Sequence, residues 1–316
     1  MITKDINLAI QTLQKGELVA IPTETVYGLA ANALDKTAVA KIYELKKRPI
    51  DHPLIVHVHH IEQAKELTTE FPEKALKLAQ SFWPGPLTFV LPKSKKVPSL
   101  TTGGLQSVAI RCPSHPIAKE VIQKTGFPLA APSANPFGAI SPTTALHVEE
   151  SFGSLAPLIL DGGSSRVGVE STIVGFLDET PTLLRAGGVT LAQIESVIGP
   201  IQVAASNAKS IAPGMLEKHY APRTTLYFIE ASESLPELKG KVGVLCLSTP
   251  RDAYDFKGIE KLSPSGDLRE AASNLYSSLR NLDSLSLDSI IAYACPNEGL
   301  GLAINDRLRR ASFKKS

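Results

Sequence analysis

A chain of 316 residues with 43% apolar and 20% charged side chains has the composition of a folded globular protein and the length for two domains, which excludes disordered and fibrous classes. Its formal net charge is +2, and residues 223–316 carry 13 Lys or Arg against 12 Asp or Glu, so neither half is a basic module of the kind that grips duplex phosphates. Three widely spaced cysteines (Cys112, Cys246, Cys295) without a C-x-x-C pair argue against a zinc ribbon or disulfide framework and read as buried free thiols.

The apolar periodicity of Ile6, Ile10 and Leu13 predicts a first helix, ended by Lys15-Gly16, before a strand at Leu18–Ile21. That strand breaks at Pro22-Thr23-Glu24-Thr25-Val26-Tyr27-Gly28-Leu29-Ala30, a polar stretch that core packing does not require. Strand ends in open α/β sheets hold ligands, so the stretch reads as a substrate-binding edge. Val39, Ile42 and Leu45 predict a second helix running into Lys46-Lys47-Arg48-Pro49. A strand at Pro53–Val58 follows, then helical sequence from about Ile61 to Phe82, interrupted near Pro72. Trp83-Pro84-Gly85-Pro86 predicts a rigid turn into a strand at Leu87–Leu91.

Further strands are expected at Val108–Arg111, Leu129–Ala131, Leu158–Leu160, Ile173–Phe176 and Leu183–Leu184, with helices at Pro116–Lys124, Thr143–Phe152 and Leu191–Ile198. The alternation argues for one α/β domain over residues 1–199 with a mixed sheet. Residues 200–222 are small, polar and weakly periodic, as a linker should be. A second α/β unit over 223–316 has strands at Leu226–Ile229, Val242–Leu247 and Ser289–Ala294, and helices at Leu268–Leu279 and Ala303–Ala311. There is no apolar leader and no apolar run of membrane-spanning length, so a soluble cytoplasmic protein is expected.

No P-loop and no nucleophile elbow occurs, and Gly299-Leu300-Gly301 lacks the third glycine of a dinucleotide fingerprint. His57, His59 and His60 do not share one strand face, which disfavours a metal. The chemistry-bearing candidates are cations at element ends. Lys46 and Arg48 close a helix, where they serve either its dipole or an anion. Arg111 and Arg185 each end an apolar strand before a turn residue, where a guanidinium suits carboxylate or phosphate. Hydroxyl clusters stand at Ser133-Ala134-Asn135 with Ser141 and at Gly168-Val169-Glu170-Ser171-Thr172, where a loop turn is the plainer reading of each alone.

Taken together and in order, these segments resemble the YrdC/Sua5 family in its long, two-domain form. Leu184–Gly188, Pro213-Gly214-Met215, His219-Tyr220-Ala221-Pro222 and Arg307-Leu308-Arg309-Arg310-Ala311 extend the resemblance over nearly the whole chain. It implies a YrdC-like α/β twist with a mixed sheet and a concave basic cavity, followed by a smaller Rossmann-like α/β domain. It implies a nucleotidyltransferase that joins L-threonine, bicarbonate and ATP into L-threonylcarbamoyladenylate, for the t6A modification of ANN-decoding tRNAs.

By the same resemblance, Thr25, His57, Arg111, Ala131, Ser133 and Ser171 or Thr172 would surround threonine. Lys46, Arg48, His52, Ser107, Ser133, Ser141, Arg185 and Tyr220 would contact ATP, with Lys46, Arg48 and Arg111 carrying catalysis. Mg2+ would be held mainly by the ATP phosphates. Also implied are hand-off to a downstream threonylcarbamoyl-transferase complex, little or no direct tRNA binding, no membrane, and a linker lid carrying Tyr220. Glu24 receives no role.

Overall fold

The computed structural model describes residues 1–205 and 219–312; the Pro213-Gly214-Met215 motif lies outside them. The first helix spans Ile6–Gln14, its N-terminus capped by the Asp5 carboxylate accepting from the Asn7 and Leu8 amides, and it buries Ala9, Ile10 and Leu13. The second spans Lys36–Lys46, and the long helical stretch divides into Ile61–Glu66 and Glu73–Phe82 about Pro72, which starts the second piece rather than interrupting one helix.

Eleven short strands form one mixed sheet in the order Ile2–Thr3, Leu158–Leu160, Val19–Ile21, Gly28–Asn32, Leu129–Ala130, Ile55–His57, Ser107–Arg111, Leu87–Pro92, Thr172–Gly175, Thr182–Arg185, Gln202–Val203. Gly28–Asn32 is a strand that the sequence reading left inside the binding edge; it returns antiparallel beside Val19–Ile21, making Pro22–Tyr27 the loop between them. Gln202–Val203, within the stretch read as linker, pairs in parallel with Thr182–Leu183.

Side chains alternate across a strand, and this decides where the cavity lies. Val56, Val58, Val108 and Ile110 join the main core, whereas Ile55, Val90, Ala109 and Ile173 form a small separate cluster on the opposite face. His57, Arg111 and Thr88 continue that second face, because Ile55 pairs with Ala109, His57 with Arg111, and Thr88 with both Arg111 and Ile173. Over these central strands the sheet thus turns one face into the main core and the other toward polar groups, while beyond them Val19, Ile21 and Leu129 pack against helical residues such as Leu13 and Val121.

The second domain is a four-stranded, all-parallel sheet in the order Thr225–Ile229, Ser289–Tyr293, Val242–Cys246, Gly258–Lys261, with helices Leu268–Asp283 and Gly301–Ala311. The strand Gly258–Lys261 has no clear sequence signal, since its alternation leaves Ile259 half exposed at the sheet edge. Leu275, Leu279, Ile304 and Leu308 from the two helices share a core with Val26, Ile140 and Val169 of the first domain. Cys112, Cys246 and Cys295 are free and buried. Among the described residues no helix is long and apolar enough to cross a membrane.

Candidate active site

The loop after Val19–Ile21 is built by its threonines. Thr23 Oγ1 donates to the Val26 carbonyl at 2.6 Å and accepts from the Thr25 and Val26 amides, a local turn that replaces strand pairing. Arg111 Nη1 donates to Thr25 Oγ1 at 2.8 Å, which leaves the Thr25 hydroxyl to donate to Thr23 Oγ1 at 2.9 Å. Arg111 Nη2 lies 2.7 Å from Glu24 Oε1, and its Nε donates to the Gly85 carbonyl at 3.3 Å. Burial pushes the Glu24 carboxyl up, but the charge and hydrogen bond of Arg111 outweigh it and the pKa is lowered. Beside them His57 is pushed down to about 3, first by burial and then by Arg111, so its imidazole is neutral.

Farther along the sheet, Ser171 and Arg185 also line the cavity. Arg185 donates from Nε and Nη2 to the Ser171 carbonyl, at 3.1 and 2.8 Å, and from Nη2 to Ser171 Oγ at 3.2 Å. Ser171 Oγ also pairs with Thr88 Oγ1 at 2.7 Å. Gly187 makes this fold-back possible, since a Cβ there would stand 2.3 Å from the Glu170 carbonyl oxygen. Glu170 Oε1 accepts from Ser141 Oγ at 2.7 Å and Oε2 from Arg307 Nε at 2.8 Å. Burial pushes this carboxyl up, yet Arg307 and Arg185, with hydrogen bonds from Arg307 and Ser141, bring it down to about 2.

Arg48 also lines the cavity, fixed by Nη2 donating to the Pro53 carbonyl at 2.9 Å and by the Phe137 ring, whose centroid is 5.4 Å from its guanidinium carbon. His219 and Tyr220, near the C-terminal end of the stretch read as linker, reach the same cavity. They are anchored by the Ala221 amide donating to Gly138 and by ring contacts of His219 with Phe137 and Tyr220. Tyr220 takes a left-handed backbone, φ 63°, and burial pushes His219 down to about 3.

One cavity therefore collects Thr25, Arg48, His57, Arg111, Ala131, Ser133, Ser171, Arg185 and Tyr220, nine of the expected residues. Five stand outside its wall. Lys46 is buried beneath it, its ammonium donating to the Ser133 and Asn135 carbonyls. Ser141 lies behind Glu170, His52 packs against Phe137 at 5.3 Å, and Ser107 lies farther along the strand of Arg111. Thr172 faces the other side of the sheet, exchanging hydrogen bonds with the Val189 backbone; strand alternation thus puts Ser171, not Thr172, at the cavity.

The sequence reading gave no role to Glu170, Glu24 or Arg307. Arg307 had a signal: it sits on the same helix stripe as Ala303, Ile304, Leu308 and Ala311, where an unpaired cation would be costly. Glu24 and Glu170 had none beyond being acidic residues in otherwise small or apolar surroundings.

Residues 11–187 match the Sua5_yciO_yrdC family model, described as "Telomere recombination", and residues 189–312 match the Sua5_C model, "Threonylcarbamoyl-AMP synthase, C-terminal domain". The chain is 45% identical to the threonylcarbamoyl-AMP synthase of Pyrococcus abyssi, covering 97% of this chain and 94% of that protein. It is also 45% identical to the threonylcarbamoyl-AMP synthase of Bacillus subtilis, over 96% and 92% of the two chains. Among solved structures, that of P. abyssi Sua5 complexed with L-threonine superposes with a TM-score of 0.89 at 44% identity, over 97% of this chain and 94% of that one.

Proposed function

This chain belongs to the Sua5 family of threonylcarbamoyl-AMP synthases, and on that premise we propose how its cavity makes L-threonylcarbamoyladenylate. The reaction is a nucleotidyl transfer. Threonine and bicarbonate give a carbamate and water, the carbamate oxygen attacks the α-phosphorus of ATP, and pyrophosphate leaves. The observation that carries the reading is one cavity whose wall presents three guanidinium groups, those of Arg48, Arg111 and Arg185. Two anionic reactants must meet there, and positioned cations offset their repulsion without any covalent nucleophile.

Arg111 binds the threonine carboxylate, its orientation fixed by Glu24, Thr25 and Gly85. Ala131 and Ser133 close the amino-acid end beside the neutral imidazole of His57, and Ser171 lies toward the carbamate. Arg48, Arg185, Ser133 and Tyr220 take ATP. Lys46 acts from behind the wall by holding the Ser133–Asn135 loop, and Ser141 by holding Glu170. His52 and Phe137 stand on the Arg48 side, where the adenosine end of ATP extends.

ATP enters as its Mg2+ complex, the ion carried by the phosphates. The donor chemistry fits this: Glu170, the one carboxylate among the described residues of the cavity wall, is already held by Arg307. His219 and Tyr220 close the cavity and keep the hydrolysable carbamate and adenylate from bulk water. The product passes in the cytoplasm to a threonylcarbamoyl transferase acting on tRNA, and the even charge balance fits little direct tRNA contact.

Pyrophosphate release measured with and without threonine and bicarbonate tests the proposal. Release dependent on both is expected; release indifferent to both overturns it.

A further inference from the structure

The second domain reaches the active site through two buried side chains. Arg307 is fully buried on an otherwise apolar helix stripe. A guanidinium in such a place is costly unless it is paired. Its Nε donates to Glu170 Oε2 at 2.8 Å and its Nη1 to Asp306 Oδ2 at 2.7 Å, while its guanidinium carbon lies 5.4 Å from the Tyr220 ring centroid. The Tyr276 hydroxyl lies 2.9 and 2.8 Å from the two oxygens of the same carboxylate, and its ring stacks on Tyr220 at 5.8 Å between centroids. Glu170 and Tyr220 both line the cavity. A clamp serving only to hold two domains together needs neither contact, because the shared apolar core of Val26, Ile140, Val169 and Leu275 does that without burying charge.

Electrostatics gives the pairing a purpose. Among the described residues Glu170 is the sole carboxylate on a wall that the synthase reading gives to ATP, and unpaired it would repel the phosphates. It also immediately precedes Ser171, whose carbonyl and hydroxyl seat Arg185. Resting on the synthase reading above, we infer that Arg307 and Tyr276 are positioning residues for the ATP side of the site: they neutralise and fix Glu170 and brace Tyr220, so the first domain is complete for ATP only with the second in place.

Steady-state kinetics of full-length variants with thermal unfolding test this. Tyr276→Phe keeps the ring and removes only the hydroxyl; KM for ATP should rise about 3- to 10-fold, with KM for threonine and Tm nearly unchanged. Arg307→Gln leaves the Glu170 charge uncompensated and should raise KM for ATP by roughly tenfold or more; adding Glu170→Gln should restore much of that loss, a rescue that a purely structural role does not produce. Tyr276→Phe with wild-type kinetics overturns the inference, as does a loss shared equally by ATP and threonine. If Arg307→Gln does not fold, Tyr276→Phe decides alone. Wild-type protein lacking threonine- and bicarbonate-dependent pyrophosphate release would overturn the synthase reading instead.

Discussion

Glu24 Oε1 lies 2.7 Å from Arg111 Nη2, and both side chains are almost wholly buried. The pair explains how a guanidinium can wait in a desolvated cavity with its fork held at a fixed angle. Removing one partner of a buried pair leaves an uncompensated charge, which typically costs about 3–5 kcal/mol. Glu24→Gln is therefore expected to lower Tm markedly and to raise KM for threonine, although Glu24 need not touch substrate. Calorimetry with and without threonine checks this; an unchanged Tm contradicts the pairing.

Ser171 and Thr172 should separate function from stability. Ser171→Ala removes a cavity hydroxyl bonded to Thr88 and Arg185 and should lower kcat/KM about 10-fold, beyond any stability lost by leaving the Thr88 hydroxyl short of a partner. Thr172→Val removes a hydroxyl buried against Val189 on the other face and should cost about 1–3 kcal/mol of stability with kinetics intact. The reverse pattern would mean that the register of this strand is wrong.

Stability should fall with acid well above the carboxylate range. His57 and His219 are held down to about 3 from an ordinary 6.5, so between these values the unfolded chain binds more protons than the folded one. The stabilisation is full above pH 6.5 and is lost as pH falls toward 3, at about 1.4 kcal/mol per pH unit for each histidine. Glu170, about 2 against an ordinary 4.5, adds a further loss below pH 4.5. Urea titrations at pH 7, 5.5 and 4.5 measure the slope, and His219→Gln should flatten it.

Gly168 has φ +73° and lies so close to the helix Leu268–Asp283 that a Cβ would stand 2.4 Å from the Ala272 carbonyl oxygen. Gly168→Ala should therefore push the two domains apart locally and cost about 1–3 kcal/mol. Thermal unfolding reads the loss, and a Tm equal to wild type would contradict so close an approach.

Threonine differs from serine by one methyl group, a difference that an apolar contact in the proposed site would read at about 1–3 kcal/mol. Serine should give threonine-like pyrophosphate release at roughly 5- to 150-fold lower kcat/KM.

Much of the fold was legible because its signals are local. The helix Leu191–Ile198 and the strand Leu158–Leu160 match their sequence bounds, since apolar period and flanking caps fix both. Gly28–Asn32 was missed because Gly-Leu-Ala-Ala-Asn is small throughout and carries no alternation, yet it is almost wholly buried. Of the nine expected residues that line the cavity, Arg48, Arg111 and Arg185 were legible as cations at element ends and Ser133 and Ser171 as members of hydroxyl clusters, whereas His57, Ala131 and Tyr220 came only through the resemblance.

The sequence by itself determined the two-domain α/β plan, the family, and the cations Arg48, Arg111 and Arg185, all of which depend on residue type and near-neighbour order. Tertiary structure alone decided which groups answer them. Arg111 meets Glu24 from 87 residues away, and Arg307 meets Glu170 across a domain boundary at a separation of 137. Such pairings arise only when folding removes water from both charges. The need for a partner can be read from an Arg on an apolar stripe, but the partner's identity is fixed by the packing that brings the two together.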